Sequence, residues 1–213
     1  AYTSTGQIYL ALQALEKNGH QVMEPIAWAE ERWLGIWPRR GFLLVRGVIG
    51  TELVDIINSG SPFRRVEALR LFGEYLGNLH GGGFFHPARV RDFIVEENAN
   101  EINKNHQLTM IDPDFYGLSH QRANFNMEKS INTIADVCIL YIRQRHQIGL
   151  SEARQFISGY RLGISAGRWK PGTLKQIVTQ INEKLLGHSN DPRLATLFPD
   201  MTLSLVEAIS DKA

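Results

Sequence analysis

One stretch constrains the fold more than any other. Between Ser61 and the glycines at 81–83, Val66, Leu69, Phe72, Leu76 and Leu79 recur at intervals of three and four residues, which puts them on one face of an α-helix. Ser61-Pro62 suits the start of that helix. The helix delivers the chain to His80 and to Gly81, Gly82 and Gly83, which read as a flexible turn. Further helical stripes lie on both sides. Ile8, Leu12 and Leu15 precede an Asn18-Gly19 stop, and Ile131, Ile134, Val137, Cys138 and Tyr141 share a later stripe. Ser151 can cap a helix carrying Phe156, Ile157 and Tyr160. Thr173 can cap one carrying Leu174, Ile177, Val178, Ile181 and Leu185.

Strand-like runs interrupt this helical frame. "QVMEPIAWAEE" and "GFLLVRGV" are rich in apolar, β-branched and aromatic residues, and the stretch with Gly35, Pro38 and Gly41 between them suits a turn. "DFIV" and "LTMI" form a shorter pair across the polar "EENANEINKNHQ". The expected class is α+β. With 213 residues, 43% of them hydrophobic, the chain can bury one large core or two unequal lobes. A net charge of +1 gives no global field for wrapping nucleic acid, so an anionic partner must meet a local patch. The single Cys138 excludes an internal disulfide and suggests a reducing compartment. With no apolar run of membrane-spanning length and no signal-like start, the expected location is the cytoplasm, with peripheral contact at the inner membrane as an extension. His20, His106, His120, His146 and His188 show no zinc-ligand spacing with Cys138. Trp28, Trp33, Trp37 and Trp169 read as packing residues.

Three local patterns together resemble a known family. "GEYLGNLHGGGFFH" (73–86) looks like the helix and turn before a kinase catalytic loop, "RDFIV" (91–95) like the strand after it, and "TMIDPD" (109–114) like the metal-binding aspartate loop. With "LEKNGHQVMEPIA" near the start and "INTIADVCILYIRQRHQIGLSEARQFISGY" further on, they resemble the lipopolysaccharide core kinases, which phosphorylate heptose or Kdo sugars. The resemblance implies a protein-kinase-like fold, with a partial small lobe over 1–48 and a mainly helical large lobe over 49–213. It also implies ATP and Mg²⁺ as cofactors and an anionic core sugar as acceptor. The alternative is a pseudokinase that binds a nucleotide, a lipid-linked sugar or a protein without catalysis.

The resemblance also assigns roles by position. Phosphoryl transfer needs carboxylates on Mg²⁺, a group that orients the acceptor hydroxyl and a cation on the phosphates. Asp112, after an apolar strand, takes the metal-ligand role, its alternative being a plain Asp-Pro turn; Asp114 reads as a second ligand or a turn carboxylate. Counting from His86, which would fix the loop or act as a base, the catalytic-aspartate position holds Ala88 and the metal-binding asparagine position holds Phe93. Asp92 beside it becomes the auxiliary carboxylate if the loop is shifted by one residue. In an extended segment Arg89 and Arg91 would share one side, facing an anionic acceptor, while Asp92 faces the other. The backbone at Arg46 and Val48 occupies the hinge position that would face an adenine. Asp136 would anchor the catalytic loop or lie in water at a helix edge. No glycine-rich phosphate loop and no ATP-clamping lysine precede the first helix. Either an N-terminal part lies outside these residues or ATP chemistry has been lost.

Overall fold

The computed structural model describes residues 4–85, 89–96, 107–112, 124–143, 150–164 and 167–186. Helix α1 (Ser4–Lys17) ends as its Asn18-Gly19 stop requires, with Gly19 at φ 81°. A long antiparallel ribbon follows, β1 (Pro25–Trp33) paired with β2 (Trp37–Val45). The turn is tighter than expected, because Pro38 and Gly41 lie inside β2, opposite Arg32 and Glu30. Helix α1 packs on this ribbon, with Tyr9 and Trp28 rings 6.2 Å apart.

The chain then forms β3 (Gly50–Glu52) and a short helix, α2 (Leu53–Ser59). Neither was anticipated, because seven residues are too few to display a periodic stripe. Helix α3 (Pro62–Gly81) has the expected face, with Leu69, Phe72, Leu76 and Leu79 buried. Ser61 caps it by accepting from the Arg64 N–H at 3.3 Å. A single 3₁₀ turn (Val90–Asp92) leads into β4 (Phe93–Glu96), which pairs with β3 on one side and with β5 (Gln107–Met110) on the other. Gln21–Met23 continues this sheet beside β5: Met23 N–H donates to the Met110 carbonyl at 2.8 Å, and Met110 N–H to Gln21 at 3.2 Å. The segment before the ribbon is therefore sewn into the second sheet. Tyr75, on α3, donates its hydroxyl to the Gln21 carbonyl at 2.8 Å, fixing the same segment to the core.

Helices α4 (Met127–Arg143), α5 (Leu150–Gly163) and α6 (Thr173–Leu186) complete the described chain. Helices α3 and α5 meet backbone to backbone. A side chain at Gly73 or Gly77 would collide with the carbonyl oxygen of Phe156 or Tyr160, and one at Gly159 or Gly163 with that of Arg70 or Glu74. Two glycines four residues apart on each helix make this reciprocal seam. Around it the aromatic core closes. Phe93, fully buried, stands edge-on to Phe72 and Tyr75, each with a ring separation of 5.1 Å.

Candidate functional site: two carboxylates at the ends of paired strands

Helix α3 stops at its glycines, and the stop sets where the loop begins. Gly83, at φ 87°, donates to the His80 carbonyl at 2.9 Å, and Phe84 to the Leu79 carbonyl at 3.0 Å. These two bonds are the Schellman arrangement, in which a left-handed residue satisfies the last carbonyls of a helix. Phe84 then buries itself in the core. The glycines therefore form a fixed cap and not the flexible turn expected of them. His80 is buried with its Nδ1 2.8 Å from the Tyr160 hydroxyl, so the helix end is tied to α5 as well.

Beyond this cap, the β4–β5 pair carries the chemistry. Asp92 closes the 3₁₀ turn immediately before β4, and Asp112 follows β5 by two residues. Phe93 pairs with Met110, and Ile111 N–H donates to the Asp92 carbonyl at 2.8 Å. The register therefore brings both aspartates to one end of the pair. Their side chains differ in surroundings. Asp92 is 1% exposed, whereas Asp112 is exposed to solvent.

Arg89 holds Asp92 from one side. Both its backbone N–H (3.2 Å) and its Nε (3.0 Å) donate to Asp92 Oδ2. The other oxygen, Oδ1, is buried with no hydrogen-bond donor; the Arg91 Nε stands 3.9 Å away. Burial pushes the Asp92 carboxyl above the usual carboxylate range, the bonds and charge of Arg89 pull it back, and the negative charge of Asp112 pushes it up again. A divalent cation between the two aspartates would relieve both the orphaned Oδ1 and the like-charge repulsion. Mg²⁺ is commonly held by one or two carboxylates together with substrate phosphates, so this donor set fits it. Among the described residues no group of three or more His, Cys, Asp or Glu converges on a metal site.

Three expectations need correction. Arg89 and Arg91 do not share a side opposite Asp92, because the segment winds into a 3₁₀ turn instead of extending. That turn folds Arg89 back onto the carboxylate and leaves the Arg91 side chain 61% exposed. Nor is the Arg46 N–H turned toward a ligand: it donates to the Glu24 carbonyl at 2.9 Å, while the Arg46 guanidinium pairs with the Glu24 carboxylate. Val48 lies half-buried in the stretch between β2 and β3. Asp136 is exposed and pairs with Lys184 of α6, which makes it a link between helices and not a loop anchor. His86, Ala88 and Asp114 lie outside the described residues.

Sequence reasoning missed the clamp by Arg89, which depends on the turn. It also missed Thr109, whose buried hydroxyl donates to the Glu96 carboxylate across the β4–β5 pair. No signal in the sequence marked either.

No family model matches this chain, and no curated protein matches it. A solved structure does: WaaP in complex with acyl carrier protein, with a TM-score of 0.54 at 14% identity, covering 84% of this chain and 76% of that one. At that identity the similarity is one of fold, and the mixed helix and strand arrangement found here is of the WaaP type.

Proposed function

We propose that this chain is a kinase-like protein of lipopolysaccharide inner-core phosphorylation, an ATP-dependent sugar kinase whose metal site is the pair Asp92 and Asp112. The observation that carries the reading is that the register of β4–β5 sets a buried, half-satisfied carboxylate and an exposed one at the same end of the pair, near enough for the charge of Asp112 to act on Asp92. A fold shared with WaaP, a lipopolysaccharide core heptose kinase, supports the substrate class by analogy. The two-lobed division, 1–48 and 49–213, with residues 43–50 at the hinge position, belongs to the same reading.

Mg²⁺ held by the two aspartates would bind ATP phosphates and neutralise the charge that develops on them. The chain supplies the rest. Arg89 occupies Asp92 Oδ2 and leaves the buried Oδ1 without a donor, while the Ile111–Asp92 backbone bond holds the aspartates in register. Arg91, exposed at the rim, would meet a carboxylate or phosphate of the acceptor. In transfer, the acceptor hydroxyl oxygen bonds to the γ-phosphorus as the bond to the bridging oxygen breaks. ADP leaves, and the hydroxyl proton passes to water, because Ala88 offers no base.

That same Ala88 favours a second reading, a pseudokinase that binds nucleotide and sugar without transfer. Radiolabelled ATP with heptose- or Kdo-containing core fragments separates the two. Labelled sugar supports the kinase. ATP binding with no labelled sugar supports the pseudokinase, ATP binding indifferent to Mg²⁺ and to Asp112→Ala contradicts the metal site and with it the kinase, and no ATP binding contradicts both.

A further inference from the structure

The far end of the β1–β2 ribbon carries apolar side chains where a water-exposed turn has no use for them. Trp33, Leu34, Ile36 and Trp37 are 60%, 69%, 64% and 56% exposed. They occupy one five-residue tip, with the two indole rings 5.7 Å apart as a single platform. The backbone makes this stranger. Ile36 N–H donates to the Trp33 carbonyl at 3.1 Å across Leu34 at φ 51° and Gly35 at φ 72°, a tight hairpin turn with positive φ at both central positions. Such positions favour Asn, Asp and Gly. Leu34 is the one non-glycine residue with positive φ among those described. A leucine there is locally strained and gains no burial within the chain, a conflict between local preference and packing that points to an external partner.

Charge identifies the partner's chemistry. Immediately behind the tip stand Arg32, Arg39 and Arg40 against Glu30 and Glu31. Arg39 and Arg40, with side chains 61% and 66% exposed, share the one Glu31 carboxylate at 3.0 and 4.0 Å. One rung of guanidinium surplus therefore backs an apex of tryptophan, leucine and isoleucine. Apolar groups foremost, indoles beside them and arginines next is the order of depth in an anionic bilayer: acyl boundary, interface, phosphates. We propose that the hairpin tip at residues 33–37 docks the protein on anionic lipid headgroups, inserting Leu34 and Ile36 while Arg39 and Arg40 meet phosphates. The tip is separate from the Asp92–Asp112 pair. Loss of metal binding at Asp92 would leave the proposal standing.

The full chain is tested by co-sedimentation with vesicles of phosphatidylethanolamine and phosphatidylglycerol, against vesicles of phosphatidylcholine alone. Binding should favour the anionic vesicles. Leu34→Asn combined with Ile36→Ser should weaken it about tenfold or more, since each buried aliphatic side chain contributes on that scale. Leu34→Asn alone should leave the melting temperature equal or higher, because asparagine suits the turn, so weakened binding cannot be put down to misfolding. Arg39→Glu with Arg40→Glu should abolish the anionic preference. The proposal is overturned if wild type sediments with neither vesicle. It is equally overturned if the Leu34/Ile36 variant binds as wild type does, or if the tip proves to hold a concentration-dependent dimer that Leu34→Asn dissolves without affecting lipid binding.

Discussion

Two paired elements of this molecule treat apolar residues in opposite ways. Helices α3 and α5 close upon each other so tightly that four glycines are needed to admit the carbonyls of the facing helix, with Phe72, Tyr160 and Phe156 buried around them. The β1–β2 ribbon is as rich in aromatics and leaves Phe42, Leu44, Trp33 and Trp37 more than half exposed. The seam sets position: it locks α3 against α5, and the Gly83 cap then ends α3. The ribbon sets a surface. Apolar content alone does not distinguish them, whereas the residue that faces each apolar group does.

The sharpest way to break this contrast is to add bulk to the seam and remove it from the ribbon. Gly77→Leu should destabilise the fold by about 3 kcal/mol or more, because a well-packed helix contact cannot open without exposing its core. Phe42→Ala, a comparable change in volume on the ribbon, should stay within about 0.5 kcal/mol. Thermal unfolding followed by circular dichroism compares them directly, and similar losses in the two would dissolve the distinction. Phe93→Ala belongs with the seam, since its ring fills the space between Phe72 and Tyr75. A loss of about 3–5 kcal/mol is expected.

The seam could be read in the sequence only in part. The α3 stripe, its Ser61 cap and the β4–β5 pair follow from periodicity and turn chemistry, which are local. The choice of Asp112 and Asp92 as the carboxylates to watch came from the resemblance to the core kinases, which sets them at or beside the metal-ligand positions. What the sequence withheld depends on three dimensions. Gly73, Gly77, Gly159 and Gly163 are legible as close-approach positions only once α3 and α5 are known to face each other. Arg89 became a clamp because the chain wound into a 3₁₀ turn that three residues cannot announce. Trp33 and Trp37 looked like packing residues because tryptophan usually is one, and only the tight turn between them places both in water.

A subtler prediction concerns pH. Burial raises the Asp92 carboxyl in the folded protein, so between the ordinary carboxylate range and that higher value the native state binds the proton more readily than the unfolded chain does. Stability contributed by the protonated form is present at low pH and lost as pH rises through this window. Asp92→Asn should remove that slope, with the variant gaining on wild type as pH increases. Urea titrations across the acidic range in the presence of a chelator measure it; an unchanged slope in the variant would assign the linkage elsewhere. A small effect of opposite sign is expected on the ribbon: Leu34→Asn should stabilise by about 0.5–1 kcal/mol by relieving a left-handed leucine.

Most direct of all is the test of the carboxylate pair itself. Mn²⁺ binding read by electron paramagnetic resonance, with Mg²⁺ as competitor and ATP present, should show one site in the wild-type protein. That site should be weakened strongly by either Asp92→Asn or Asp112→Asn, and should tighten as pH rises past the raised Asp92 value. Binding that survives both substitutions unchanged, or that ignores pH across that range, would contradict the assignment of Asp92 and Asp112 as a metal site.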